Sequence, residues 1–178
     1  MKRTFTMVAA LAALVPGLAL AQHSAHSGQE DWQIKALSDD DIKQYRSGAG
    51  MGYARAAELN AFPGPMHVLE LADQLVLSPE QRSATTRLMD AHKTEARAIG
   101  ARLVEAERTL DRLFAGARLD QPGLASQVRT VAALYGEYRL SHLETHQRMR
   151  AILTPEQVCR YGELRGYAGG EQHGKKQH

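Results

Sequence analysis

Apolar and small positions recur at Thr85, Leu88, His92, Ile99, Leu103, Ala106, Leu110 and Leu113, with no proline or strong break between Pro79 and Ala115. That spacing predicts one helix of about 55 Å at 1.5 Å per residue. A second stripe, at Leu124, Val128, Val131, Tyr135, Tyr138, His142, Thr145, Met149 and Ile152, steps by three and four and predicts a helix over about 122–153. Gly116 and the stretch Asp120-Gln121-Pro122-Gly123 make the turn between them. A turn that short leaves neither stripe another neighbour, so the two helices pack as an antiparallel hairpin. Hairpin partners then have residue numbers that sum to about 234, which sets Ile99 against Tyr135, Ala106 against Val128, Thr85 against Met149 and His92 against His142.

Ahead of the hairpin, Leu37 to Asn60 reads as two short helices, the first capped by Ser38 with Asp39, Asp40 and Asp41 in its opening turn, where negative charge suits the helix dipole. Gly48-Ala49-Gly50-Met51-Gly52 separates the two. It is a hinge rather than a phosphate loop, because no strand precedes it and no Gly-Lys-Ser/Thr follows. Phe62-Pro63-Gly64-Pro65 breaks the chain again, and Met66 to Val76 is expected as a helix with Val68, Leu69, Leu71, Ala72 and Leu75 available for burial. The fold class is therefore all-α: a long antiparallel hairpin with short N-terminal helices and a short C-terminal helix from Pro155. A hairpin about two helices wide cannot cover its own apolar surface, which points to self-association.

Composition narrows the setting. Residues 1–21 carry Lys2 and Arg3, an apolar run from Phe5 to Leu20 and the sequence Ala19-Leu20-Ala21, the features of a secretory signal peptide cleaved near Gln22. No second apolar run long enough to span a membrane follows. Without the signal, 20 basic residues face 20 acidic ones, so net charge offers nothing toward nucleic acid. Residues 22–36 and 168–178 are polar, with His23, His26, His173 and His178 among them, and read as disordered ends around a 37–167 helical-hairpin domain. The lone Cys159 excludes an internal disulfide and is expected to pack as a small hydrophobe inside the last helix.

Candidate chemistry is confined to histidines. His142 and His146 are four apart on one helical face, and the hairpin register adds His92 at the same level. Met149, one turn on, offers a soft thioether, so a transition-metal ion (zinc, nickel, cobalt or copper) is the candidate ligand of His92, His142, His146 and Met149. The competing reading is a polar layer of neutral histidines that fixes register in an apolar seam. His67 beside Glu70 is a weaker candidate. The run His142-Leu143-Glu144-Thr145-His146 is not a zinc-protease motif, since Glu144 projects about 200° around the helix from His142. No nucleophile triad or clustered carboxylate pair is evident, and the chain reads as a non-enzyme.

One phrase occurs twice, Leu77-Ser78-Pro79-Glu80-Gln81 and Leu153-Thr154-Pro155-Glu156-Gln157. Each copy is a helix starter: a hydroxyl cap, Pro at the first helical position and a Gln that reaches back to the cap. The pair resembles the L-T-x-x-Q motifs of the Spy/CpxP family of small periplasmic chaperones and metal sensors, over roughly Leu37 to Tyr167. Gly-Met-Gly at 50–52, Ala57-Glu58-Leu59-Asn60 and Pro63-Gly64-Pro65 look like the N-terminal part of a metal-sensor branch. Sensor-type relatives carry a His-x3-Met pair ending four residues before the second motif; Met149 holds the Met place here, whereas Thr145 stands in the His place. The resemblance implies a periplasmic homodimer whose hairpins form a cradle. It implies either an ATP-independent holdase for unfolded periplasmic proteins or a heavy-metal sensor or buffer signalling to an inner-membrane partner.

Overall fold

The computed structural model describes residues 26, 28–117 and 120–167. Among these there is no strand, and the helices run α1 (Asp39–Ser47), α2 (Arg55–Glu58), α3 (Pro65–Glu70), α4 (Pro79–Ala115), α5 (Gln121–Ile152) and α6 (Pro155–Leu164). The hairpin of α4 and α5 is the frame; α1 lies along α4, α3 touches both long helices and α2 touches α5. The expected signal peptide at 1–21, residues 22–25, 27, 118 and 119, and the tail from 168 lie outside the described residues.

The repeated phrase caps both helices it was expected to cap. Ser78 Oγ accepts from the Gln81 N–H at 3.1 Å while Gln81 Oε1 accepts from the Ser78 N–H at 3.0 Å. Thr154 and Gln157 repeat the exchange at 3.2 and 2.9 Å. The two glutamines then do something each copy alone does not require. Gln81 Nε2 donates to Gln157 Oε1 at 2.7 Å and to the Ile152 carbonyl at 2.9 Å. Gln157 Nε2 donates back to Gln81 Oε1 at 3.0 Å and to the Leu75 carbonyl at 3.1 Å. The start of α4 is thereby clasped to the end of α5, and the base of the hairpin is closed.

Two apolar clusters fill the molecule. One, around Tyr45, Leu103 and Tyr138, joins α1 to the middle of the hairpin. The other, around Val68, Leu75, Met149 and Tyr161, joins α3 and α6 to its base. Between them the seam turns polar: Thr85, His92, Ser141, His142 and Thr145 are all buried. The three hydroxyls satisfy themselves on carbonyls of their own helices, Gln81, Tyr138 and Ser141, at 2.7, 2.9 and 2.7 Å. The histidines must find partners across the seam.

The close approach of α1 depends on Gly100. A Cβ there would stand 2.0 Å from the Tyr45 carbonyl oxygen. α4 accepts a glycine in its interior, at about 1 kcal/mol of helix propensity, so that the end of α1 can rest on it.

Several expectations change. The helix expected over Met66–Val76 stops at Glu70, and Val76 is 81 % exposed at φ +51°. The chain turns there so that Leu75 and Leu77 both enter the base cluster ahead of the Ser78 cap, which a continuous helix would prevent. Val128 is 45 % exposed because, among the described residues, no third helix packs over the distal hairpin, while Leu134 and Ser141, off the expected stripe, are buried. Cys159 is exposed rather than packed, since α6 turns Val158 and Tyr161 inward and leaves 159 on the opposite face. Ile34 is fully buried in the first cluster, so the packed chain begins ahead of Leu37.

Candidate metal centre

His92 Nε2 lies 3.0 Å from His142 Nδ1, with the rings 4.4 Å apart and nearly perpendicular. The two residues therefore meet at the level that a sum of 234 demands. Tyr138 packs on His142 at 4.8 Å, and Tyr53 stacks parallel to it at 6.4 Å. Within the pair one nitrogen donates and the other accepts. Whichever way the proton sits, the two outer nitrogens are then one N–H and one lone pair. Those nitrogens, His92 Nδ1 and His142 Nε2, are buried without a partner among the described residues. Each orphaned buried polar atom costs about 1–3 kcal/mol. Such a cost suits a place where a ligand completes the set.

Burial keeps both rings neutral. Desolvation first, then the neighbouring His92 and His146, pushes His142 down to about 4. Desolvation and then His146 likewise lower His92. Neutral imidazole is the form that coordinates a metal.

His146, one turn on, is held differently. Its Nδ1 lies 2.8 Å from the Phe62 carbonyl, and since a carbonyl only accepts, Nδ1 carries the proton. In the neutral ring Nε2 then keeps its lone pair, the arrangement by which a backbone carbonyl orients a ligating imidazole. Arg150 braces the same turn, donating to the neighbouring Ala61 carbonyl at 2.6 Å with its guanidinium 4.7 Å above the Phe62 ring. Glu58 completes the support. Its Oε2 lies 3.5 Å from His146 Nδ1 and accepts from the Gly64 N–H at 3.1 Å, while Tyr161 and Tyr167 donate to Oε1.

All three histidines line one open cavity of about 810 Å³ between the Gly-rich turn, α3 and the hairpin. Tyr138 pins the turn to the hairpin by donating to the Ala49 carbonyl at 2.7 Å. Met149 does not line this cavity; it is fully buried in the base cluster. His67 also lines it, but its Nδ1 is 2.8 Å from Glu70 Oε2. Among the described residues no group of three or more His, Cys, Asp or Glu is gathered as a metal centre. The sequence reading missed Glu58, Phe62 and Gly64, whose roles depend on chain segments more than 80 residues from His146.

Fold and site together define a clasped helical hairpin with a histidine layer in its seam. The chain belongs to the heavy-metal resistance family, whose model matches residues 45–160, and that family falls within the Spy/CpxP-like group of periplasmic helical proteins. No curated protein and no solved structure matches the chain significantly. Among the described residues no helix is long and apolar enough to cross a membrane.

Proposed function

We propose that this protein is a periplasmic metal-responsive protein that takes up a transition-metal ion beside the hairpin seam through His146 and whichever of His92 and His142 keeps its outer lone pair. The observation that carries this reading is the set of imidazole lone pairs left over when every protein hydrogen bond is made: His146 Nε2 and, according to where the shared proton sits, either His92 Nδ1 or His142 Nε2. The thioether of Met149 joins them only if the base cluster opens. Calorimetric titration with zinc, nickel, cobalt and copper tests the reading on mature protein whose terminal histidines His23, His26, His173 and His178 are changed to Gln. Binding that disappears in a His142→Ala/His146→Ala variant supports it. Equal binding by both proteins, or none by either, leaves the histidines as a polar layer that fixes register.

The second reading is an ATP-independent holdase, probed through dimers whose hairpins form a cradle. Its support is a set of large apolar side chains exposed on the monomer, Leu59, Phe114, Val128 and Leu140 among them. Suppression of client aggregation without metal, lost on Phe114→Glu/Leu140→Glu, is the outcome that favours it. Light scattering on the same variant tests whether a second copy covers this face.

A further inference from the structure

We infer that the cavity beside the seam is a site for a soft monovalent ion, Cu(I) or Ag(I), held by the thioethers of Met51, Met66 and Met89 together with Nε2 of His146. The inference rests on the metal-binding reading above and narrows it to a class of ion.

The described residues contain four methionines, Met51, Met66, Met89 and Met149, and three of them line this one cavity. They arrive from three separate places, the Gly-rich turn after α1, the first turn of α3 and the body of α4, so no helical periodicity accounts for their meeting. Met51 sits at φ +45°, a conformation that favours glycine, between Gly48 and Gly52 at +71° and +77°. The turn uses glycine twice for such geometry and keeps a long thioether at the position on the cavity wall. Met66 is 48 % exposed, so packing does not explain it.

His146 adds a prepared nitrogen. With Nδ1 committed to the Phe62 carbonyl, Nε2 is the free end, and Gly64 keeps it open: a Cβ at 64 would stand 3.1 Å from Nε2 and 2.9 Å from Cε1. Charge then selects the ion. Arg55, Lys93 and Arg97 line the cavity, and its acid, Glu58, is already taken by the Gly64 N–H, Tyr161 and Tyr167. A hard divalent cation would meet three positive charges against one carboxylate, and that carboxylate's oxygens are already engaged rather than free to ligate. A monovalent ion that prefers neutral thioether and imidazole donors carries half the charge and needs only two or three ligands.

The test uses the full mature chain in a Cys159→Ser background, because the exposed thiol would itself take up Cu(I). Cu(I) affinity is read anaerobically by competition with a chromophoric chelator, and Ag(I) binding by the shifts of the methionine methyl NMR signals. The wild-type cavity should move the methyls of Met51, Met66 and Met89 and leave that of Met149 in place. A Met51→Leu/Met66→Leu/Met89→Leu variant should lose about tenfold or more of its Cu(I) affinity while keeping any zinc or nickel binding. Gly64→Ala should weaken Cu(I) as well, by covering His146 Nε2, and circular dichroism confirms that each variant is folded. Unchanged Cu(I) affinity in the folded triple variant overturns the inference and leaves the methionines as packing. Binding of zinc or nickel but not Cu(I) overturns it while the broader metal reading stands; binding of no metal removes both.

Discussion

His92 and His142 share a hydrogen bond across the hairpin, Nε2 to Nδ1 at 3.0 Å, from positions 50 residues apart in the chain. Both rings are held neutral inside the protein, His142 with its pKa pushed from 6.5 to about 4, chiefly by desolvation. The unfolded chain protonates them as pH falls below about 6.5, whereas in the folded chain His142 resists until near 4 and His92 is likewise held below its ordinary value. Stability should therefore be full above about 6.5 and decline as pH drops toward 4, by roughly 3 kcal/mol for His142 alone, with His92 acting in the same direction. Denaturant midpoints measured across that window check it. A His92→Gln/His142→Gln variant should show a shallower decline, and an equal slope in both proteins would place the acid sensitivity elsewhere.

The glutamine clasp should show energetic coupling. Gln81→Ala or Gln157→Ala alone strips a cap and leaves the other amide and the carbonyl of Ile152 or Leu75 short of a partner. Each single change is expected to cost about 1–3 kcal/mol, and the double mutant less than the sum by about 1 kcal/mol. Additive losses would mean that the two amides do not support each other.

The caps themselves give a smaller effect. Ser78→Ala and Thr154→Ala should each lower stability by about 0.5–2 kcal/mol, because each hydroxyl satisfies an N–H at the first turn of α4 or α6. Urea midpoints unchanged in both variants would show that the Pro and Gln of each phrase suffice.

Gly100→Ala sets two known effects against each other. Alanine gains about 1 kcal/mol of helix propensity in α4, yet its Cβ would fall 2.0 Å from the Tyr45 carbonyl oxygen and 2.7 Å from its carbon. Backbone cannot yield as a side-chain tip does, so α1 must move off the hairpin. A net loss of about 1–3 kcal/mol is expected by thermal melting, and a stabilised variant would mean that α1 repositions freely.

The long stripes, the two caps and the meeting of His92 with His142 were all legible in the chain by itself. Helix periodicity and a short turn act through neighbours in sequence, and a rigid hairpin carries that register some 25 residues along each arm to the histidines. Whatever depends on a third element was not legible. Val76 turns outward and the expected third helix stops early because two leucines must reach one cluster. Val128 is exposed, against its place in the stripe, because no helix among the described residues covers the far end of the hairpin. The orientation of His146 depends on a carbonyl 84 residues away, and the gathering of Met51, Met66 and Met89 around one cavity depends on how the Gly-rich turn and α3 dock against the hairpin. Local propensity decides which residues are helical and which face each presents; only the packing of several such faces at once decides which donors come to share a cavity.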